Sequence, residues 1–183
     1  MRLCRELIDR LRRKINPAID IPSEPCRAAV MLIVADNGEC NILFLERKED
    51  PRDLWSGQMC LPGGRAKEED ANLLRTAIRE TLEETGIDID PKFVIGVLEE
   101  VRPLNKPELT VTPFVAYIGR KREVRVSDEV KNAYWFSLSS LRRGEVNPKK
   151  FNLRGEVAYL VNGKIIWGMT ARIVKNFLRL LGI

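Results

Sequence analysis

The chain has 183 residues, a formal net charge of +5 and 44% hydrophobic residues, which suits one folded domain with at most a terminal extension. It has no uncharged apolar run long enough to cross a bilayer, so we expect no membrane-spanning segment. It also has no histidine, which excludes imidazole-based catalytic triads and His-ligated zinc sites. Any chemistry must come from other side chains, backbone groups or a bound metal.

Hydrophobic periodicity predicts a mixed sheet between helices, which is an α/β architecture. The chain begins with an amphipathic helix whose apolar stripe contains Leu3, Leu7, Ile8, Leu11 and Ile15. A proline-containing connector then extends to residue 25. Further elements are predicted in chain order as strands at 28–35, 40–45, 93–101, 110–118, 123–126 and 130–136, a helical turn at 138–142, a hairpin around 162–163 and a final helix at 170–181.

The segment 48–70 is rich in glycine, proline and charge and predicts a long structured loop, a feature that is usually functional in a compact domain. A helix is predicted from Asp70, its expected N-cap, to about Glu84, with Gly86 as its stop. The apolar face of this helix is predicted to comprise Leu73, Leu74, Ala77, Ile78, Thr81 and Leu82.

The four cysteines, Cys4, Cys26, Cys40 and Cys60, form no CxxC pair. The N-terminal residues lack the unbroken apolar stretch of a signal peptide. We therefore expect reduced, partly buried thiols and a cytoplasmic location.

Three carboxylates on the predicted helix, Glu80, Glu83 and Glu84, are spaced i, i+3, i+4 and share one face. Their mutual repulsion would be relieved by a hard divalent cation such as Mg²⁺ or Mn²⁺. A solvated acidic face paired with Arg75 and Arg79 is the alternative. The surroundings favour the metal, because the glycines just upstream let backbone groups approach a ligand closely.

The segment from Gly63 to Ile87 resembles the Nudix box, G-x5-E-x7-R-E-U-x-E-E-x-G-U. Its second half reads Arg79-Glu80-Thr81-Leu82-Glu83-Glu84-Thr85-Gly86-Ile87, with Thr81 in an aliphatic place. Its first half is one residue longer, so that Gly64 and either Asp70 or Glu69 replace the box glycine and glutamate.

The Nudix resemblance implies an α/β/α sandwich with a mixed β-sheet and an N-terminal helical extension. The helix and connector would occupy residues 1–25 and the hydrolase domain residues 26–183, with the box at about 63–87. The resemblance also implies a Mg²⁺ or Mn²⁺ cofactor. The residues expected to act are Glu80, Glu84 and Glu83 as metal ligands, Glu83 and Glu80 also in catalysis, Arg79 in orienting the glutamates, and Gly63 and Gly64 in shaping the loop.

Three further segments resemble the coenzyme A diphosphatase branch of the family. They are Gly57-Gln58 with Leu61-Pro62-Gly63-Gly64, then Val111-Thr112-Pro113, and Ile166-Trp167-Gly168-Met169-Thr170-Ala171. Trp55 stands where that branch usually has histidine. A tryptophan there favours stacking on a base and predicts weak discrimination of the 3′-phosphate of coenzyme A.

The implied function is hydrolysis of a diphosphate linkage in a nucleotide-containing small molecule, possible substrates including coenzyme A. Arg47, Arg52 and Arg65 are candidate phosphate contacts, and Trp55 is a candidate base contact. Glu99, Glu100 and Glu108 are weaker candidates for a further ligand or base. The alternatives are hydrolysis of ADP-ribose, nucleoside triphosphates or capped RNA, or a non-catalytic binding module. Because both termini are basic, nucleic acid is an alternative partner, and a second copy of the chain in a homodimer is another.

Overall fold

The computed structural model describes the backbone of residues 2–183 and the side chains from residue 4 onward. The helices are α1 (Arg2–Arg12), α2 (Leu73–Thr85), α3 (Leu138–Arg143) and α4 (Gly168–Leu181). The strands are β1 (Arg27–Asp36), β2 (Cys40–Arg47), β3 (Met59–Cys60), β4 (Gly63–Arg65), β5 (Val94–Val97), β6 (Thr110–Tyr117), β7 (Val130–Ser137), β8 (Glu145–Val146), β9 (Ala158–Val161) and β10 (Lys164–Ile166).

Strand β1 forms the centre of the main sheet because its apolar run is buried on both faces. In the described part of the chain this sheet has seven strands in the order β3-β2-β1-β6-β5, with β4 paired to β1 and β7 paired to β2. The β1–β6 pair is parallel and the others are antiparallel, so the sheet is mixed, as predicted. The segment predicted as a loop at 48–70 contains the short strands β3 and β4.

Helices cover both faces of this sheet. Successive residues of β1 point to opposite faces of the sheet, so that Met31 belongs to one core cluster and Leu32 to the other. Helix α2 packs on one cluster through residues such as Leu73, and helices α1 and α4 pack on the other through residues such as Ile8 and Phe177. The predicted α/β/α sandwich with a mixed sheet is therefore confirmed.

Helix α1 belongs to the same core as the sheet. Its buried face comprises Cys4, Ile8 and Leu11, and Leu7 is only partly buried. The predicted stripe is thus rotated towards Cys4, and the side chain of Leu3 lies outside the described residues. None of the described helices is long and apolar enough to span a membrane.

Two cysteines form a disulfide, between Cys4 of α1 and Cys40 at the start of β2. The prediction of reduced thiols is therefore wrong for this pair, because tertiary packing brings together residues that are 36 positions apart. Cys26 and Cys60 are free thiols. Reduced cysteines consequently no longer support the expected cytoplasmic location.

Helix α2 begins later than predicted. Its N-cap is Asn72, whose side-chain oxygen accepts a hydrogen bond from the backbone N–H of Arg75, so the assignment of Asp70 as N-cap is wrong. Gly86 ends the helix in a left-handed conformation, as predicted. Leu82 was predicted on the apolar face but is exposed.

The predicted strand at 123–126 does not form. The backbone N–H groups of Arg125 and Ser127 donate to the carbonyls of Thr85 and Glu84, so this segment pairs with the end of α2. The strand predicted at 93–101 is limited to β5, which a 3₁₀ turn at Pro91–Phe93 precedes. The predicted hairpin is confirmed as β9 and β10, and β8 extends it to a second, three-stranded sheet.

Candidate active site

Two glycines bring the backbone of β4 against the carboxylates of α2. A Cβ atom at Gly63 would lie 2.3 Å from the carbonyl oxygen of Ala29, and one at Gly64 would lie 2.5 Å from the carboxylate of Glu80. Gly63 also has a φ of +151°, which L side chains rarely adopt. Any side chain at these positions would therefore displace strand β1 or Glu80.

The carboxylate of Glu84 is buried beside these two glycines. Glu84 is only 6% exposed, and its Oε2 accepts a hydrogen bond of 2.9 Å from the backbone N–H of Gly63. Burial raises the pKa of Glu84 to about 7, because the Gly63 N–H opposes the effect only in part and the nearby charge of Glu80 adds to it. A carboxylate in this environment is stabilised in its charged form by a nearby cation.

Arg79 joins the acidic residues into one network. Its Nε and Nη2 donate to Oδ1 and Oδ2 of Asp70 at 3.0 and 2.9 Å. Its Nη1 donates to Oε1 of Glu80 at 2.6 Å and to Oε2 of Glu83 at 3.2 Å. The hydrogen bonds from Arg79 lower the pKa of Asp70 to about 2. Of the two front acids that the sequence offered, Asp70 is therefore the one that contacts the arginine.

The three glutamates of α2 do not converge on one point. The side chain of Glu83 is 51% exposed and contacts Arg79 and Lys67 instead of lining the cavity described below. Among the described residues, no three His, Cys, Asp or Glu side chains are grouped closely enough to hold a metal ion. Glu80 and Glu84, next to backbone groups of Gly63 and Gly64, offer oxygen donors of the type that Mg²⁺ and Mn²⁺ prefer.

Glu80 and Glu84 line a cavity of about 410 Å³, a volume that suits a small-molecule ligand. Gly63 and Gly64 form part of its wall. Apolar side chains from distant segments complete it, and they include Leu54, Trp55, Leu104, Trp167, Met169 and Ile173. The cavity thus combines a few charged groups with apolar surface, as small-molecule sites usually do.

The three arginines predicted to contact phosphate differ in position. Arg47 and Arg65 line the cavity, and the Nε of Arg47 donates to Oδ2 of Asp53 at 2.7 Å. Arg52 lies outside the cavity, where its exposed guanidinium pairs with Asp50. The structure therefore brings Arg47 and Arg65 to the site and leaves Arg52 in solvent.

Sequence reasoning missed three charged residues that line the cavity, namely Asp53, which pairs with Arg47, and also Glu129 and Arg154. Glu129 precedes β7 and approaches Glu84 closely enough to contribute to its raised pKa. No sequence motif marks any of these residues. The downstream carboxylates that the sequence did suggest have other partners. Glu99 accepts hydrogen bonds from Asn176 and Arg179, and Glu100 accepts them from Arg27 and Thr112. Glu108 is exposed and also lies outside the cavity.

Comparison with known proteins agrees with the fold and the box. The family model for the NUDIX domain matches residues 24–155. The Yersinia pestis protein described as uncharacterized Nudix hydrolase NudL is 32% identical over 158 residues, which cover 82% of this chain and 77% of that protein.

Solved structures with the same fold include a MutT/nudix family protein from Enterococcus faecalis, with a TM-score of 0.64 and 21% identity, covering 97% of this chain and 69% of the other. The NUDIX domain of Shewanella oneidensis NrtR, complexed with ADP ribose, has a TM-score of 0.50 and 17% identity, covering 72% and 83%. The chain belongs to the Nudix family and is a hydrolase of nucleotide diphosphate compounds.

Proposed function

We propose that this hydrolase cleaves the diphosphate linkage of coenzyme A or a close derivative, releasing a phosphopantetheine product and adenosine 3′,5′-bisphosphate. The proposal rests on one observation, namely that Gln58, Val111 and Trp167 line the same cavity. They come from the three segments that resemble the coenzyme A diphosphatase branch, and these segments are far apart in the sequence. Residues that converge on one cavity in this way are candidates for contact with one ligand.

Glu80 and Glu84 are the residues that would hold a divalent cation. A bound cation would neutralise charge on the diphosphate and lower the pKa of the attacking water. Arg79 holds the carboxylate of Glu80 through a charge-assisted hydrogen bond, and the N–H of Gly63 holds that of Glu84. Asp70 in turn holds Arg79, so the position of Glu80 depends on the whole network.

Hydrolysis requires a group that accepts a proton from the attacking water. The carboxylate of Glu129 lines the cavity and has no hydrogen-bond or ion-pair partner among the described residues. Glu129 is therefore free to accept that proton. Glu83, which the sequence suggested as a metal ligand and catalytic residue, is paired with Arg79 outside the cavity.

A second candidate function is hydrolysis of ADP-ribose or another dinucleotide. Trp55 and Trp167 both line the cavity and offer flat apolar faces that stack on any base. A site that relies on stacking would accept several nucleotide compounds.

The test is a panel of coenzyme A, dephospho-coenzyme A, ADP-ribose and nucleoside triphosphates, assayed with Mg²⁺ or Mn²⁺ and analysed by chromatography of the products. We expect coenzyme A to yield adenosine 3′,5′-bisphosphate. Glu80→Gln and Glu84→Gln should each lower kcat by at least about a hundredfold, because each removes a charge from the cation site. Glu123→Gln, which neutralises an exposed glutamate outside the cavity, is the matched control and should retain full activity.

Hydrolysis of nucleoside triphosphates without any cleavage of coenzyme A would reject the proposed substrate. Full activity of both glutamine variants at saturating metal would reject the proposed cation site.

A further inference from the structure

Arg154 lines the cavity from a part of the fold remote from the Nudix box. It lies between the 3₁₀ turn Pro148–Phe151 and β9 of the second sheet, whereas Glu80 and Glu84 belong to α2. Its side chain is exposed and has no hydrogen-bond or ion-pair partner among the residues that the structure describes. Arg154 is therefore a cavity-lining cation that is free to bind an anion.

The backbone on either side of Arg154 is held in place. The N–H of Leu153 donates to the carbonyl of Pro148 at 3.1 Å, and the N–H of Asn152 donates to that of Lys149 at 3.2 Å. Three residues after Arg154, the side chain of Val157 is buried in the core that contains α1 and α4. These anchors hold the backbone near Arg154 beside the cavity and leave its side chain unpaired among the described residues.

The other arginines near the site are either neutralised or placed for the reacting diphosphate. Asp53 offsets the charge of Arg47, while Asp70 and Glu80 offset that of Arg79. Arg65 has no side-chain ion pair among the described residues, but it directly follows Gly63 and Gly64, which lie against Glu84 and Glu80. Arg65 therefore suits the diphosphate, and Arg154 is left for a different anionic group.

We propose that Arg154 binds a substrate phosphate that is separate from the reacting diphosphate, which in coenzyme A is the 3′-phosphate. This inference rests on the proposed function. A guanidinium can donate two parallel hydrogen bonds to a phosphate, which makes it a selective reader of that group. The sequence, with Trp55 in place of the expected histidine, predicts weak discrimination of the 3′-phosphate. Arg154 would instead supply a group that recognises this phosphate.

The experiment measures kcat/KM for coenzyme A and for dephospho-coenzyme A with the wild-type enzyme, Arg154→Ala, Arg154→Lys and Arg143→Ala. Arg143 is an exposed arginine of α3 that lies outside the cavity and has no side-chain partner among the described residues, so its variant controls for the loss of one surface charge. Inhibition by adenosine 3′,5′-bisphosphate and by AMP provides an independent measure of binding. Circular dichroism and thermal unfolding verify that each variant is folded.

We expect the wild-type enzyme to prefer coenzyme A, and Arg154→Ala to lower kcat/KM for coenzyme A by about tenfold, mainly through KM. The value for dephospho-coenzyme A should change by less than about twofold, because that substrate lacks the group that Arg154 contacts. The inhibition constant of adenosine 3′,5′-bisphosphate should rise to that of AMP. Arg154→Lys should recover part of the preference, and Arg143→Ala should behave as the wild type.

An unchanged ratio between the two coenzymes in Arg154→Ala, with coenzyme A still cleaved, would overturn the role of Arg154 alone. An equal loss on both substrates would also overturn it, because it would assign Arg154 to the diphosphate or to the fold. Cleavage of ADP-ribose by the wild-type enzyme, without cleavage of either coenzyme, would reject the proposed substrate and this inference together.

Discussion

Asp70→Asn tests whether the Asp70–Arg79 pair stabilises both the fold and the site. The change keeps the shape of the side chain and an oxygen that accepts the hydrogen bond from Thr76, but it removes the charge. The side chains of Asp70 and Arg79 are only 4% and 20% exposed, so solvent screens the pair weakly. The pKa of Asp70 is lowered from 3.8 to about 2, which corresponds to about 2 kcal/mol of stability at pH 7. Arg79 keeps Glu80 and Glu83 as partners, so no larger loss is expected.

The assay is urea unfolding of the wild type and Asp70→Asn at several pH values. The folded-state pKa of Asp70 lies below its ordinary value, so its contribution is complete above the ordinary pKa of 3.8 and disappears as the pH falls through about 2. The difference in the free energy of unfolding should therefore shrink from about 2 kcal/mol at pH 7 to below about 1 kcal/mol near pH 2. Activity should fall about 10- to 100-fold, because Arg79 loses the group that orients it.

Glu123→Gln is the control, since Glu123 faces Arg125 at 3.8 Å with both side chains exposed, and its effect should stay within about 0.5 kcal/mol. A loss in Asp70→Asn that is no larger than in this control would refute the calculation. A loss that is independent of pH would show that the carboxylate charge is not its source.

Three further outcomes follow from the geometry. Alkylation of the denatured, unreduced protein should label two of its four cysteines, and labelling of all four would contradict the disulfide. Replacement of Cys4 and Cys40 by Ser should lower the free energy of unfolding by about 3 kcal/mol. Gly64→Ala should lower kcat/KM at least about tenfold with little change in melting temperature, because the added Cβ atom would displace the carboxylate of Glu80. Wild-type activity in this variant would argue against the need for this close contact. Addition of Mg²⁺ or Mn²⁺ should raise the melting temperature of the wild type and not that of Glu84→Gln, and equal shifts would place the cation elsewhere.

Local patterns in the sequence were sufficient to predict the main layers of the fold. The run in β1 is apolar on both faces, and the i, i+3, i+4 spacing on α2 is a property of the helix itself. The glycine stop at Gly86 was predicted for the same reason, because a left-handed C-terminal residue is a local requirement. The Nudix box was recognisable because its glycines and its acidic residues lie within one short segment.

Properties that depend on residues distant in sequence were decided only by tertiary structure. Cys4 and Cys40 meet because α1 packs against the sheet, and the segment near Arg125 forms no strand because the end of α2 supplies its hydrogen-bond partners. The choice of Asp70 as partner of Arg79 likewise required the path of the turn before α2.

Some residues of the cavity could be predicted from local sequence, and others are brought there only by the tertiary structure. Glu80 and Glu84 could be proposed from the box. Glu129 and Arg154 carry no local signal and reach the site only because the segments that precede β7 and β9 lie beside the cavity. Spacing along one helix determines which of its side chains share a face. Which distant side chains complete a site depends on how the sheets and helices pack, and that arrangement is set by the whole core and not by any one segment.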